Sequence, residues 1–258
     1  MPREGTYLLT LRVEFSIEEG RMIEASRNGD PTGSTTASVG RSGSAWIAVL
    51  SVGALLAVYH VLLRPWHRTW GATDEEVNRQ LPGDDVVPEP SDETTRAVTI
   101  EASSDDVWSW VVQLGQGRGG FYSYTWLENL VGADIHNVDR IVPEFQELEE
   151  GDPIRMVRED YWLQSSITSM TVERVDPGRT LVLQGHDGGT WAFHLDPLDE
   201  GTTRFIVRGR KPENRTAVGY LLRYLTYELP HFVMERGMML GIQTRAERYC
   251  RDEQEGPP

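Results

Sequence analysis

Gly115–Ile141 reads GQGRGGFYSYTWLENLVGADIHNVDRI, and what flanks it decides the fold. Gly115, Gly117 and Gly120 have the spacing of a dinucleotide-binding loop, with Asp134 and Asp139 near where a ribose-binding acid would fall. Such a loop follows a strand and opens directly onto a helix inside a parallel sheet. Here the preceding residues read differently. Arg96–Glu101 alternates as a strand does, with Val98 and Ile100 on one face. Ser103–Asp106 then offers capping side chains to a helix whose apolar stripe is Val107, Trp108, Val111, Val112 and Leu114. A capped helix therefore precedes the glycines, and the loop is a turn between helices, not a phosphate cradle.

Downstream of the quoted stretch the period changes to two. Strands are expected over 153–157, 167–175, 180–184, 190–195 and 203–209. Asp176-Pro177-Gly178, Asp187-Gly188-Gly189 and Asp199-Glu200-Gly201 serve as turns, because glycine accepts positive φ. From Asn214 to Cys250 the helical period returns, with Val218, Leu221, Leu222, Leu225, Leu229, Phe232, Val233 and Leu240 on one stripe. Pro230 is expected to kink or divide that helix. Strand, helices, antiparallel strands and a long last helix make an α+β class domain.

In this order, and in the glycine-aromatic segment with the Val142-Pro143-Glu144 that follows it, residues 94–248 resemble the SRPBCC superfamily of START-like, Bet v 1-like, polyketide cyclase/dehydrase and lipid transport proteins. The resemblance implies a helix-grip fold, in which the sheet wraps the C-terminal helix around a cavity for an apolar small molecule or lipid. The sequence offers no cofactor loop, and no cofactor is expected. Cavity candidates are Phe121, Tyr122, Tyr124, Trp126, Trp191, Phe193, Phe205, Leu225, Leu229, Phe232 and Met238. The quoted stretch gives 12 residues, FYSYTWLENLVG, to a second helix starting at Phe121. Arg118 and Arg140 are candidates for an anionic headgroup. Asp134, His136 and Asp139 are the candidates for acid/base chemistry, against the simpler role of pinning a loop through ion pairs. No second histidine stands at ligand spacing, and no metal site is expected. Two alternatives to a binding protein stand: a cyclase/dehydrase-type enzyme with an acid/base pair drawn from His136, His186 and His194, or a non-catalytic membrane-tethered interaction module.

The N-terminal quarter reads as something else. Ala45–Leu63, AWIAVLSVGALLAVYHVLL, has 19 residues without Asp, Glu, Lys or Arg, which nearly spans a hydrocarbon core of about 30 Å. It is expected to be a transmembrane helix, flanked by Trp46, Tyr59, Trp66 and Trp70. Arg64, Arg68 and Arg79 on one side against Arg27 and Arg41 on the other favour a single-pass protein with a cytoplasmic C-terminal domain. Residues 26–44 are rich in Gly, Ser and Thr, and 1–44 is expected to be disordered, with Met22 an alternative start. Residues 64–93 read as an acidic, proline-containing tether, residues 94–250 as the START-like domain and 251–258 as a disordered tail.

Forty acids against 25 bases give the chain a net charge of −15, and its only lysine is Lys211. That balance argues against nucleic acid as a partner, because neutralising phosphates needs a basic face. An acidic, lysine-poor surface suits a haloarchaeal-type protein dissolved in concentrated salt, where carboxylates retain water and their repulsion is screened. A fold equally firm in low and in molar salt would contradict that reading. Cys250 stands alone, so the chain has no intrachain disulfide.

Overall fold

The computed structural model describes residues 40–130, 132–161, 168–212 and 227–255. The disordered reading of 1–39, the alternative start at Met22, Leu225 with the first part of the last stripe, and the extreme tail lie outside them. The chain divides into two compact units, Met1–Leu50 and Ser51–Pro258. Helix α1 spans Gly40–Val58, so it starts inside the stretch expected to be disordered. A π-helical turn, Tyr59–Leu63, follows, then α2, Arg64–Arg68. The apolar run Ala45–Leu63 is thus shared between α1 and the π-helical turn, and among the described residues no helix is long and apolar enough to cross a membrane.

The remaining elements are α3 (Asp74–Asn78), a 3-10 turn (Asp84–Val86), β1 (Asp92–Ile100), α4 (Ser104–Val111), α5 (Thr125–Leu130), a second 3-10 turn (Pro143–Phe145), β2 (Pro153–Arg155), β3 (Ser169–Asp176), β4 (Thr180–Gly185), β5 (Thr190–Asp199), β6 (Thr202–Lys211) and the long helix α6 (Glu228–Glu255). The strands form one antiparallel sheet in the order β1-β6-β5-β4-β3-β2. Gly178 and Gly188 take positive φ of 73° and 79° in the turns read from the sequence. Ser103 caps α4 through its side chain, which accepts from the Asp106 amide.

Side-chain alternation gives the sheet two buried faces. On one face Val98 pairs with Phe205, Phe193 with Val207 and Leu181 with Phe193. With Trp110, Met239, Ile242 and Ala246 from α4 and α6, these build the main core. On the opposite face Ala97 pairs with Ile206, Val182 with Ala192 and Thr95 with Arg208.

That second face is covered by the segment expected to be a tether. Leu81 is buried against Ala97 and Ile206, and Val87 is buried as well. A Cβ on Gly83 would lie 2.7 Å from a Val182 methyl. Three of the acids that made the segment look solvated, Glu76, Asp84 and Glu93, are partners for arginines of β6. Glu76 binds Arg204 at 2.7 Å, and Asp84 binds Arg208 at 2.7 Å and Arg210 at 3.2 Å. Arg208, 2% exposed, also donates to the carbonyls of Glu76, Val77 and Arg79. Composition signals solvation here because Glu76 and Asp84 are read without their partners, which lie more than 100 residues away.

Pro230 lies in the first turn of the described α6, where a missing N–H costs nothing, and the part of the stripe before it lies outside the described residues. Two other expectations are corrected. The tail is helical to Glu255. The second helix starts at Thr125 rather than Phe121, since Tyr122 has φ +57° and the Asn137 side chain accepts from the Phe121 and Tyr122 amides at 3.0 and 2.7 Å.

Candidate functional site

The interface between sheet and α6 is filled at one end and open at the other. Where α4 packs, Trp110, Phe193, Phe205, Ile242 and Ala246 close it completely. Towards the start of α6 a cavity of about 610 Å³ remains, within the range of sites that enclose a small organic molecule. Its wall comes from Phe121, Leu127, Ala133 and Ile135 of the quoted stretch, from Met156, Met170 and Trp191 of the sheet side, and from Pro230, Met234 and Met238 of α6. The segment Tyr122–Tyr124 lies hard against α6. A Cβ at Gly241 would meet the Tyr122 carbonyl oxygen at 2.0 Å, and one at Gly237 would meet the Tyr124 ring at 2.8 Å.

Polar groups are few and almost all matched. Arg96, on the inner side of β1, reaches Glu235 of α6 at 2.5 Å, and both side chains are nearly inaccessible. Glu235 also accepts from the Trp191 indole at 2.9 Å. A buried pair of this kind needs such extra hydrogen bonds to offset the loss of water. At the rim, Arg64 binds Glu228 at 2.7 Å, Arg68 binds Asp92, and Lys211 binds Asp187 at 3.1 Å. Burial alone would raise the Glu228 and Asp187 carboxyls, but Arg64 and Lys211 outweigh it and hold both below the usual range.

Glu128 differs from the other acids. Its Oε1 accepts from the Ser123 hydroxyl at 2.5 Å, while its Oε2 is buried without a hydrogen-bond partner. Burial raises its pKa, and the Ser123 hydrogen bond only partly opposes this. His231 faces the same space with 31% of its side chain accessible. Burial lowers it to about 4, despite the opposing Glu235 carboxylate. His67, lowered by burial and by the Arg96 charge, has an unpartnered Nδ1 and stacks on Tyr59 at 5.9 Å.

Of the residues expected in the cavity, Phe121, Trp191 and Met238 line it. Phe193 and Phe205 instead fill the core beyond it, and Phe232 is buried between Trp66, His67, Trp70 and the Arg96 guanidinium. Tyr122 is buried behind the wall, its hydroxyl accepting from Gln113 at 2.6 Å, and burial raises it to about 12. Tyr124, Trp126 and Leu229 are exposed. Arg118 donates to the carbonyls of Val112 and Phe145 and lies over the Phe145 ring, so it ties the loop instead of meeting a headgroup. Arg140 is exposed and does not line the cavity.

The acid/base candidates lie outside as well. His136 and Asp134 form an exposed pair at 3.2 Å, with 79% of the His136 side chain open to solvent. Asp139 binds Arg245 of α6 at 2.7 Å, which is the loop-pinning role. His186 is exposed and bonds Ser169. His194 points to the opposite face of the sheet beside Thr180. Arg96 carried a signal in sequence: it has the parity of Val98 and Ile100, a charge at an inward strand position. Glu128 and Glu235 carried none, since each is an ordinary acid on a helix until the tertiary fold encloses it. Among the described residues no cluster of His, Cys, Asp and Glu is arranged to hold a metal.

No protein-family model and no curated protein matches the chain. Solved structures to which it is similar include the Zhui aromatase/cyclase from a Streptomyces species, at 17% identity and a TM-score of 0.38 over 63% of this chain and 97% of that one. CalC, a self-sacrificing resistance protein from Micromonospora echinospora, matches at 12% and 0.40 over 61% and 95%. A conserved protein of unknown function from Enterococcus faecalis matches at 14% and 0.34 over 64% and 74%. At such identities and scores these likenesses carry no argument, and the helix-grip arrangement rests on the strand order, the long helix and the cavity themselves.

Proposed function

We propose that the protein binds a hydrophobic small molecule or lipid in the cavity between the sheet and α6, and that the run Ala45–Leu63 anchors it to a membrane with the C-terminal domain on the cytoplasmic side. The observation that carries the binding reading is the apolar space of about 610 Å³ whose charged rim groups are already paired. Such a site offers a ligand contact area and little charge. The anchoring reading is supported by large apolar side chains of the run that are exposed, among them Trp46, Ile47, Leu50, Leu55, Val61 and Leu62. Exposed apolar surface on this scale seeks an apolar environment. An anchor would also hold the cavity at high effective concentration beside bilayer lipids.

An enzyme built on His136, His186 or His194 finds no support, because none of the three lines the cavity. The test is to purify the full chain in mild detergent from a membrane fraction, extract it with organic solvent and analyse the extract by mass spectrometry. One apolar compound at near-stoichiometric yield is expected. A chain that stays in the soluble fraction, or an extract with no apolar compound together with failure to bind added fluorene, would overturn the reading.

A further inference from the structure

Among the described residues five carboxylates line the cavity: Asp92, Glu128, Asp187, Glu228 and Glu235. Four are matched by a cation, respectively Arg68, Lys211, Arg64 and Arg96 for Asp92, Asp187, Glu228 and Glu235. Among the described residues Glu128 is matched by the Ser123 hydroxyl alone. It is 7% exposed, and Oε2 has no hydrogen-bond partner among the described residues. A buried polar atom left without a partner is unfavourable, and here that atom belongs to a side chain in the wall of a ligand-sized space.

We propose that Glu128 orients the ligand by donating a hydrogen bond from Oε2 to a carbonyl oxygen, so that the natural ligand is an apolar molecule bearing a ketone, quinone or ester group. The direction of donation follows from the local bonds. Oε1 already accepts from Ser123, which leaves Oε2 as the oxygen to carry the proton of a neutral acid. Burial favours that neutral form, and among the described residues no cation acts on the group. Of the α6 side chains that line the cavity, Met234 and Met238 are uncharged, His231 is held neutral by burial, Glu228 is engaged by Arg64, and Glu235 is engaged by Arg96 and Trp191.

The inference rests on the cavity-binding reading, and the test separates the two. Affinities for fluorene and 9-fluorenone, which share a shape and differ by a carbonyl, are measured by equilibrium dialysis on the full chain and on Glu128→Leu and Glu128→Gln. The fluorenone-to-fluorene affinity ratio is expected to be about three- to tenfold higher in the wild type than in Glu128→Leu, the worth of one buried hydrogen bond. Glu128→Gln, which keeps a donor, retains the higher ratio at every pH. The wild type loses it as the pH rises and Glu128 ionises. An equal ratio in wild type and Glu128→Leu, with fluorene bound by both, overturns the role of Glu128 and leaves the cavity reading intact. A preference for the donor 9-fluorenol over fluorenone at neutral pH overturns the direction of the bond. Failure of the wild type to bind either probe overturns both readings.

Discussion

His194 shows how a single residue carries the cost of the covered sheet. It lies on the face away from the cavity, 2% exposed, and desolvation together with the Arg208 charge lowers it to about 4. In the unfolded chain it takes up a proton near 6.5, but in the folded one not until about 4. The unfolded state therefore binds more protons between those values, and stability falls as the pH drops from 6.5 towards 4. For a group this buried the loss is on the order of 3 kcal/mol. His231, lowered in the same direction but a third exposed, adds a smaller slope of the same sign. Glu128, raised by burial, contributes the opposite slope. The urea midpoint measured across about pH 4 to 7 is expected to fall more steeply towards acid in the wild type than in His194→Gln. Parallel curves would contradict the account.

At the scale of elements, the contact between Tyr122–Tyr124 and α6 fixes the cavity wall. Gly241 admits the Tyr122 carbonyl at a distance no side chain allows, and that carbonyl cannot retreat, because Asn137 holds the Tyr122 amide. Gly241→Ala is expected to destabilise the protein by about 1–3 kcal/mol, measured by chemical denaturation. An unchanged midpoint would mean that the wall yields. The sequence made the elements legible where local signals sufficed: period-two strands, glycine turns, the Ser103 cap and the long last helix. The start of α5 was not legible, because a side chain 15 residues away holds Tyr122 in a left-handed conformation that helical periodicity cannot register. The aromatic candidates were divided by the same limit. Phe121 and Trp191 reach the cavity, whereas Phe193 and Phe205 are consumed by a core whose extent depends on how α4 meets α6.

At the scale of the whole chain, residues 64–91 are a third layer of the domain. Their removal would expose Ala97, Val182, Ala192 and Ile206 and leave Arg208 buried or bare without Asp84 and the carbonyls of Glu76, Val77 and Arg79. A chain starting at Thr94 is therefore expected to be aggregated or unfolded by circular dichroism and gel filtration, while one starting at Arg64 folds. Equal behaviour of the two would restore the tether reading. The same layer shows why composition misled. Acids and prolines describe a solvated strand of chain only if the matching arginines are elsewhere, and here β6 presents them in register.

Glu228 receives Arg64 twice over, the Tyr59 hydroxyl at 3.3 Å and the His67 ring at 4.0 Å. The first residue of α6 is thus bolted to the π-helical turn and to α2. Any swing of α6 that widened the cavity from that end would have to break this joint or carry the turn along. A tilt of the turn would pull on the rim in its own right, so the grip on a ligand and the setting of Tyr59–Arg68 are mechanically one variable.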